Sequence, residues 1–166
     1  MRRWVYVLAV GCLGGGVALA TGMSDKTFVD KAAEGGMAEV QLSKLAMDKS
    51  DSADVKKFAR KMVEDHSKAG EELKQIAAQK NIAVPSAMDE KHKQVFDKLE
   101  KLNGAAFDKE YMRAMAVDHD EAVKLFKTQA QSGSDQELRV FAAKTLPVIE
   151  KHDDMAHMDQ RQLQKE

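Results

Sequence analysis

The chain has 166 residues, with 26 Lys and Arg against 27 Asp and Glu. This near balance of charge argues against a nucleic acid or a strongly acidic protein as the partner. The composition is rich in Ala, Lys, Glu, Met and Leu, with two prolines and few aromatic residues. Such a composition is typical of a helical protein with a single core. The sequence therefore predicts an all-α fold.

The first twenty residues differ from the rest of the chain. They open with Arg2 and Arg3, continue as an uncharged apolar run, and close on Ala18-Leu19-Ala20. This pattern predicts a secretory signal peptide over 1–20, cleaved near Ala20. A retained membrane anchor and a lipoprotein site at Cys12 are the alternatives. With cleavage, the mature chain has no membrane span and lies in the periplasm or cell envelope.

Downstream of Ser24, apolar residues recur every three or four positions, which is the period of an α-helix. Ser86 with Asp89, and Ser134 with Glu137, are capping boxes that mark helix starts. The first opens a shorter helix that ends at Asn103-Gly104. The pattern predicts four long helices, at 25–49, 53–80, 105–131 and 134–163.

Four long helices with short turns inside each pair predict a four-helix bundle over residues 24–163. The connection between the second and third long helices is longer and carries the extra short helix. It forms either a crossover along the bundle or a flap at one end.

Two octets repeat one pattern, "MVEDHSKA" at 62–69 and "MAVDHDEA" at 115–122. Steps of three and four along each helix trace the face that points to the core. That face carries one ionisable residue on every long helix. At 1.5 Å per residue these residues fall within about two turns of one another, near the middle of the bundle. The four are Glu39, His66, His119 and His152.

One carboxylate and three imidazoles around one point predict a site for a transition-metal ion, either Zn, Cu, Fe or Mn. Asp118, next to His119, is expected to support the site from outside the ligand set. Asp65 is expected at the solvated rim and His92 at the surface. The alternative is a Glu–His hydrogen-bond network that holds the core together without an ion.

Four stretches carry a family resemblance: "FVDKAAEGGMAEVQLSKLA", "VKKFARKMVEDHSKAGEEL", "FDKEYMRAMAVDHDEAVKLF" and "DQELRVFAAKTLPVIEKHDDM". The layout, which covers about residues 26–160, resembles a bacterial ferritin-like domain of unknown function, an exported or outer-membrane protein family. The resemblance implies a ferritin-like four-helix fold and export across the inner membrane. It places Glu39, His66, His119 and His152 at the positions of the family's pattern, and it brings no known activity.

Diiron oxidase chemistry is disfavoured, because bundle diiron sites use Glu-x-x-His and this sequence contains none. No catalytic serine or cysteine arrangement and no phosphate-binding glycine loop occurs in the predicted mature chain. Two functions are favoured over an enzymatic function. One is a periplasmic bundle that binds a metal ion for metal handling or envelope stress. The other is a non-catalytic envelope interaction module whose buried Glu and His residues are structural.

Overall fold

A computed structural model describes residues 23–165 of the chain. The predicted signal peptide, 1–20, lies outside the described residues. The regular secondary structure of the described residues is entirely helical, which confirms the all-α prediction. None of these helices combines the length and the apolar character that a membrane crossing requires. The five helices are α1 (Asp25–Lys49), α2 (Ala53–Gln79), α3 (Glu90–Leu99), α4 (Gly104–Ser132) and α5 (Gln136–Leu163).

Side-chain caps explain where four of the helices begin. Ser24 and Ser52 accept hydrogen bonds from backbone N–H groups in the first turns of α1 and α2. The caps of α3 and α5 are Asp89 and Asp135, so the predicted starts at Ser86 and Ser134 were early by three residues and by one residue. A carboxylate makes a charge-assisted bond to the helix N-terminus, which favours aspartate over a nearby serine.

Contacts between helix ends give the direction of each long helix. Asp25, at the start of α1, binds Gln129 near the end of α4 and the backbone of Asp135 before α5. Lys80, after α2, pairs with Asp135 and Glu137 at that same end. Helices α1 and α5 therefore run in one direction, and α2 and α4 run in the other. The segment 81–103, with α3, crosses the length of the molecule and returns the chain to the opposite end.

The core consists of two apolar clusters, one toward each end of the long helices. The cluster near the end of α1 contains Leu42, Phe58, Met62, Tyr111 and Met115. The cluster near the start of α1 contains Phe28, Leu73, Phe126, Leu138 and Phe141. Along each long helix, the ionisable residue of its inner face falls between these two clusters. The fold thus places a polar layer in the middle of an apolar core.

Replacing Asp25 with Ala is expected to lower the free energy of unfolding by about 1–3 kcal/mol. The Asp25 carboxylate accepts hydrogen bonds from the Gln129 side chain, at 2.8 Å, and from the backbone N–H of Asp135, at 3.0 Å. Gln129 is fully buried, so its amide would lose a partner that water cannot replace. Urea denaturation should show a lower midpoint with an unchanged slope.

Asp30→Ala is the matched control on the same helix, because the partner of Asp30 among residues 23–165 is the exposed Lys26. Surface pairs of this kind contribute little, and this variant should stay within about 0.5 kcal/mol of the parent protein. An equal loss in both variants would contradict a special role for Asp25 in joining the helix ends.

Candidate metal centre

The structure brings the four ionisable residues of the inner helix faces into one layer. Glu39 comes from α1, His66 from α2, His119 from α4 and His152 from α5. Glu39, His119 and His152 are buried, and the His66 side chain is 10% exposed. One ring nitrogen from each histidine lies within 4.8 Å of the other two. The helical periodicity placed each residue on its inner face, and the packing brought the faces together.

Glu39 contacts two of the histidines at once. Its Oε2 lies 2.8 Å from Nδ1 of His66, and its Oε1 lies 3.4 Å from Nδ1 of His119. Both contacts are to Nδ1, which leaves Nε2 of each ring free of the carboxylate. Glu39 is therefore placed to orient two imidazoles through their Nδ1 atoms, on the side of each ring opposite Nε2.

The backbone sets the protonation of His119. Its Nδ1 lies 2.8 Å from the carbonyl oxygen of Met115. A carbonyl can only accept, so Nδ1 carries the proton and Nε2 carries the lone pair in the neutral ring. Nε2 is buried and has no hydrogen-bond partner among residues 23–165. An unpaired buried nitrogen is costly, and a ligand at this position would remove the cost.

Asp65 holds the third histidine. Its Oδ2 lies 2.8 Å from Nε2 of His152 and also accepts from Nζ of Lys61, at 2.7 Å. The remaining nitrogen of His152, Nδ1, lies 3.2 Å from Nε2 of His66. Asp65, expected at the solvated rim, thus supports the centre. The sequence gives a partial signal for this role of Asp65, because Lys61, one helical turn earlier, can fix the orientation of its carboxylate.

Asp118, expected to support the centre, has different partners in the structure. One carboxylate oxygen of this buried residue is 3.6 Å from Nζ of Lys91 and from Nε2 of His92. Both partners belong to α3, so Asp118 anchors the crossover segment. His92 is itself buried, and the prediction that it lies at the surface was wrong. The reason is that α3 packs on the side of α4 that carries Asp118.

The charges of the centre follow from burial and proximity. Burial alone would raise the pKa of Glu39, but His66 and His119 lower it to about 2. Burial opposes protonation of His66, yet the neighbouring Glu39 carboxylate raises the pKa of that imidazole above its usual value. Burial and the charge of His66 lower the pKa of His152 to about 4. At neutral pH, Glu39 is therefore ionised and His152 is a neutral nitrogen donor.

A second group of possible ligands lies nearer the surface. Nε2 of His157 is 3.5 Å from oxygens of Asp120 and Asp153, and the three could share an ion. The His157 side chain is 35% exposed and that of Asp120 is 51% exposed. Solvated contacts of this kind are common on helical surfaces, and they form a weaker candidate than the buried histidines.

Fold and site together define an all-helical protein with three histidines and two supporting carboxylates at mid-core. The chain belongs to the family of the domain of unknown function DUF4142, whose model matches residues 16–158. A comparison with curated proteins finds no match.

Two similar solved structures share the fold. One is "CopM in the Cu(II)-bound form", 18% identical, with a TM-score of 0.72, covering 85% of this chain and 98% of that chain. The other is "CopM in the Cu(I)-bound form", 19% identical, with a TM-score of 0.63, covering 86% of this chain and 94% of that chain. At these identities the likeness establishes a common arrangement of helices.

Proposed function

We propose that this protein is an exported, ferritin-like four-helix bundle that binds one transition-metal ion between His66, His119 and His152. The single observation that carries the proposal is the orientation of the rings. Each imidazole has one nitrogen held by an acceptor: Glu39, the Met115 carbonyl or Asp65. Histidines that bind metals are oriented in this way, through a hydrogen bond from the nitrogen that does not bind the ion.

The short approach of two rings supports the same proposal. If Nδ1 of His66 donates to Glu39 and Nε2 of His152 donates to Asp65, their other nitrogens face each other at 3.2 Å. Two lone pairs at this distance repel, so a proton must lie between them. A metal ion can take the place of that proton, because it accepts both lone pairs and adds the free Nε2 of His119.

Glu39 enters the proposal as a positioning residue. The sequence alone suggested four ligands: Glu39, His66, His119 and His152. Both Glu39 oxygens lie against Nδ1 atoms, and the three histidines form the group whose ligand atoms are close together. A three-histidine set with an open position suits Zn and Cu, with Fe and Mn as further candidates. The fold shared with copper-bound CopM favours copper and a role in metal handling in the cell envelope.

The ferritin-like part of the proposal rests on topology. Two pairs of consecutive long helices are antiparallel: α1 with α2, and α4 with α5. One long connection crosses from the first pair to the second. Bundles with a single crossover of this type are the ferritin-like arrangement. The two carboxylate-bridged metals of the diiron proteins are not part of the proposal, because the chain lacks Glu-x-x-His.

The second candidate function is an envelope interaction module with a structural Glu–His network. The observation that favours it is a continuous chain of polar contacts, from Glu39 through His66 and His152 to Asp65 and Lys61. A satisfied network of this kind can hold three helices, α1, α2 and α5, in register without an ion.

Metal analysis separates the two candidates. Protein purified from the native host without chelators or affinity metals should contain close to one transition-metal ion per chain by plasma mass spectrometry. After demetallation, titration with Cu(II) or Zn(II) should restore one ion per chain. Protein that is metal-free as purified and takes up no ion in the titration would establish the structural network instead.

The mature protein is expected to begin near Thr21 and to be released with the periplasmic fraction. The reasons are the Arg2-Arg3 start, the uncharged apolar run and the small residues Ala18 and Ala20. Intact-mass measurement and N-terminal sequencing of the exported protein provide the test. A chain that retains Met1, or one with lipid on Cys12, would contradict cleavage at this position.

A further inference from the structure

The layer of histidines is closed by tightly packed, buried side chains on one side. One turn away, toward the end of α1, lie Leu42, Met62, Met115 and Ala156. All four are fully buried, and all belong to the same packed cluster. A ligand cannot approach the centre from this direction without displacing core residues.

The opposite side of the histidine layer is open. One turn from Glu39, His66 and His119 in that direction come Gly35, Gly70 and Ala122, as the helix period requires. A Cβ atom built on Gly35 or Gly70 would have no atom of the described chain within 4 Å. All three small residues line a cavity of about 750 Å³.

The cavity has apolar walls and a polar end. Leu73, Phe126, Phe141 and Ile149 contribute apolar surface, whereas Glu39, His66 and His152 form part of the lining where the cavity meets the metal centre. Its volume is in the range that holds a small organic molecule. The proposed metal site therefore has access to a largely apolar cavity of ligand size, whose lining also includes exposed lysines.

Asp118 adds a hydrogen-bond acceptor to the same wall. One of its oxygens contacts Lys91 and His92, whereas Oδ2 has no hydrogen-bond partner in the part of the chain that the structure describes. The Asp118 side chain is only 7% exposed and lines the cavity. A buried carboxylate oxygen without a donor favours a ligand that carries an N–H group.

We propose that the cavity binds a small neutral molecule with an apolar body and an N–H-bearing nitrogen donor, which supplies a fourth ligand to the metal ion. This inference rests on the proposed function. Three histidines leave one position of a four-coordinate ion for an external ligand. The apolar walls favour an uncharged ligand over an anionic one, because moving a charge out of water into apolar surroundings is costly.

The probes are imidazole and 4-phenylimidazole, which offer the same donor nitrogen and N–H group without and with an apolar body. Both are titrated into the Cu(II)-loaded protein, followed by electron paramagnetic resonance and the visible copper absorption. Both should change the copper spectrum saturably, with 4-phenylimidazole binding roughly tenfold more tightly or better, because its phenyl group enters the apolar cavity. Equal affinities, or no spectral change, would overturn the inference.

Gly70→Leu tests the cavity directly, and Ala78→Leu, at an exposed position of the same helix, is its control. The leucine at position 70 fills space beside the centre and should remove the preference for 4-phenylimidazole while one Cu(II) per chain still binds. The control should keep the preference. Gly35→Leu repeats the test from α1, so that misfolding of one variant does not decide the result.

The outcomes distinguish this inference from the function on which it rests. If Cu(II), Zn(II), Fe(II) and Mn(II) all fail to bind, the proposed function fails and the fourth-ligand role fails with it. If Cu(II) binds at one ion per chain but neither glycine variant changes the relative affinity of the two probes, only the cavity inference is wrong.

Discussion

Added Cu(II) or Zn(II) is expected to raise the melting temperature of the metal-free protein, and His119→Ala is expected to remove that increase. An ion that binds only the folded state stabilises it by RT ln(1 + [L]/Kd), about 2.7 kcal/mol at a hundredfold excess over Kd. For a domain of this size the shift is several degrees. His119 is decisive because its buried Nε2 is the nitrogen of the centre that has no hydrogen-bond partner among the described residues.

The same stabilisation should fade as the pH falls through the raised pKa of His66, because an imidazole must be neutral to bind a metal ion. The pKa shifts of the histidines determine whether this stabilisation rises or falls with pH. The pKa of His66 is raised, so a proton competes with the ion there, whereas the pKa of His152 is lowered to about 4, so that ring is neutral already. Metal-dependent stabilisation should therefore increase with pH as His66 loses its proton. Thermal melts at several pH values with and without metal measure this.

His157→Ala is the matched control for His119→Ala. His157 is a histidine on α5 with a partly exposed side chain, and its ionic partners in the described part of the chain are Asp120 and Asp153. Its removal should leave the metal-dependent increase intact. If Zn, Cu, Mn and Fe(II) all fail to raise the melting temperature of the parent protein, the buried Glu and His residues are structural.

Glu39→Gln is expected to weaken metal binding by about 10- to 100-fold while the stoichiometry stays at one ion per chain. The Glu39 carboxylate contacts Nδ1 of both His66 and His119. A glutamine has nearly the same shape but only one acceptor oxygen, and it has no charge. The amide would place an NH2 group beside one of the two rings, and both rings would lose the attraction to the carboxylate that makes them better donors. Competition titration against a chelator of known affinity measures the change.

The control is Glu34→Gln, a glutamate on the same helix outside both the centre and the cavity lining. Its affinity should match that of the parent protein. A complete loss of binding in Glu39→Gln, equal to that in His119→Ala, would mean that Glu39 is itself a ligand, as the sequence alone suggested. An unchanged affinity would mean that Glu39 does not position the rings.

Much of the centre could be predicted from the sequence because an α-helix repeats every 3.6 residues. That period places Glu39, His66, His119 and His152 on inner faces whatever the neighbouring helices do. Helix lengths and short turns then fix their approximate height. Both steps depend only on distances along one helix, which the sequence determines.

The hydrogen-bond partners of the centre could not be obtained in this way. Asp65 and Asp118 each precede a histidine by one residue and occupy equivalent places on α2 and α4. Asp65 reaches His152 on α5, whereas Asp118 lies beside His92 on α3. The difference arises from which helix lies alongside, and the periodicity of a helix carries no information about its neighbour.

The sequence by itself determined that the chain is helical, where the long helices lie, and that Glu39, His66, His119 and His152 lie on inner faces, because these properties follow from local periodicity and capping. Only the tertiary structure decided that 81–103 crosses the length of the molecule, that Asp65 supports the centre, and that a cavity opens beside it. Helices joined by a long connection can pack in more than one order. The contacts between distant residues, such as those of Asp25 and Lys80 with the start of α5, select the order observed.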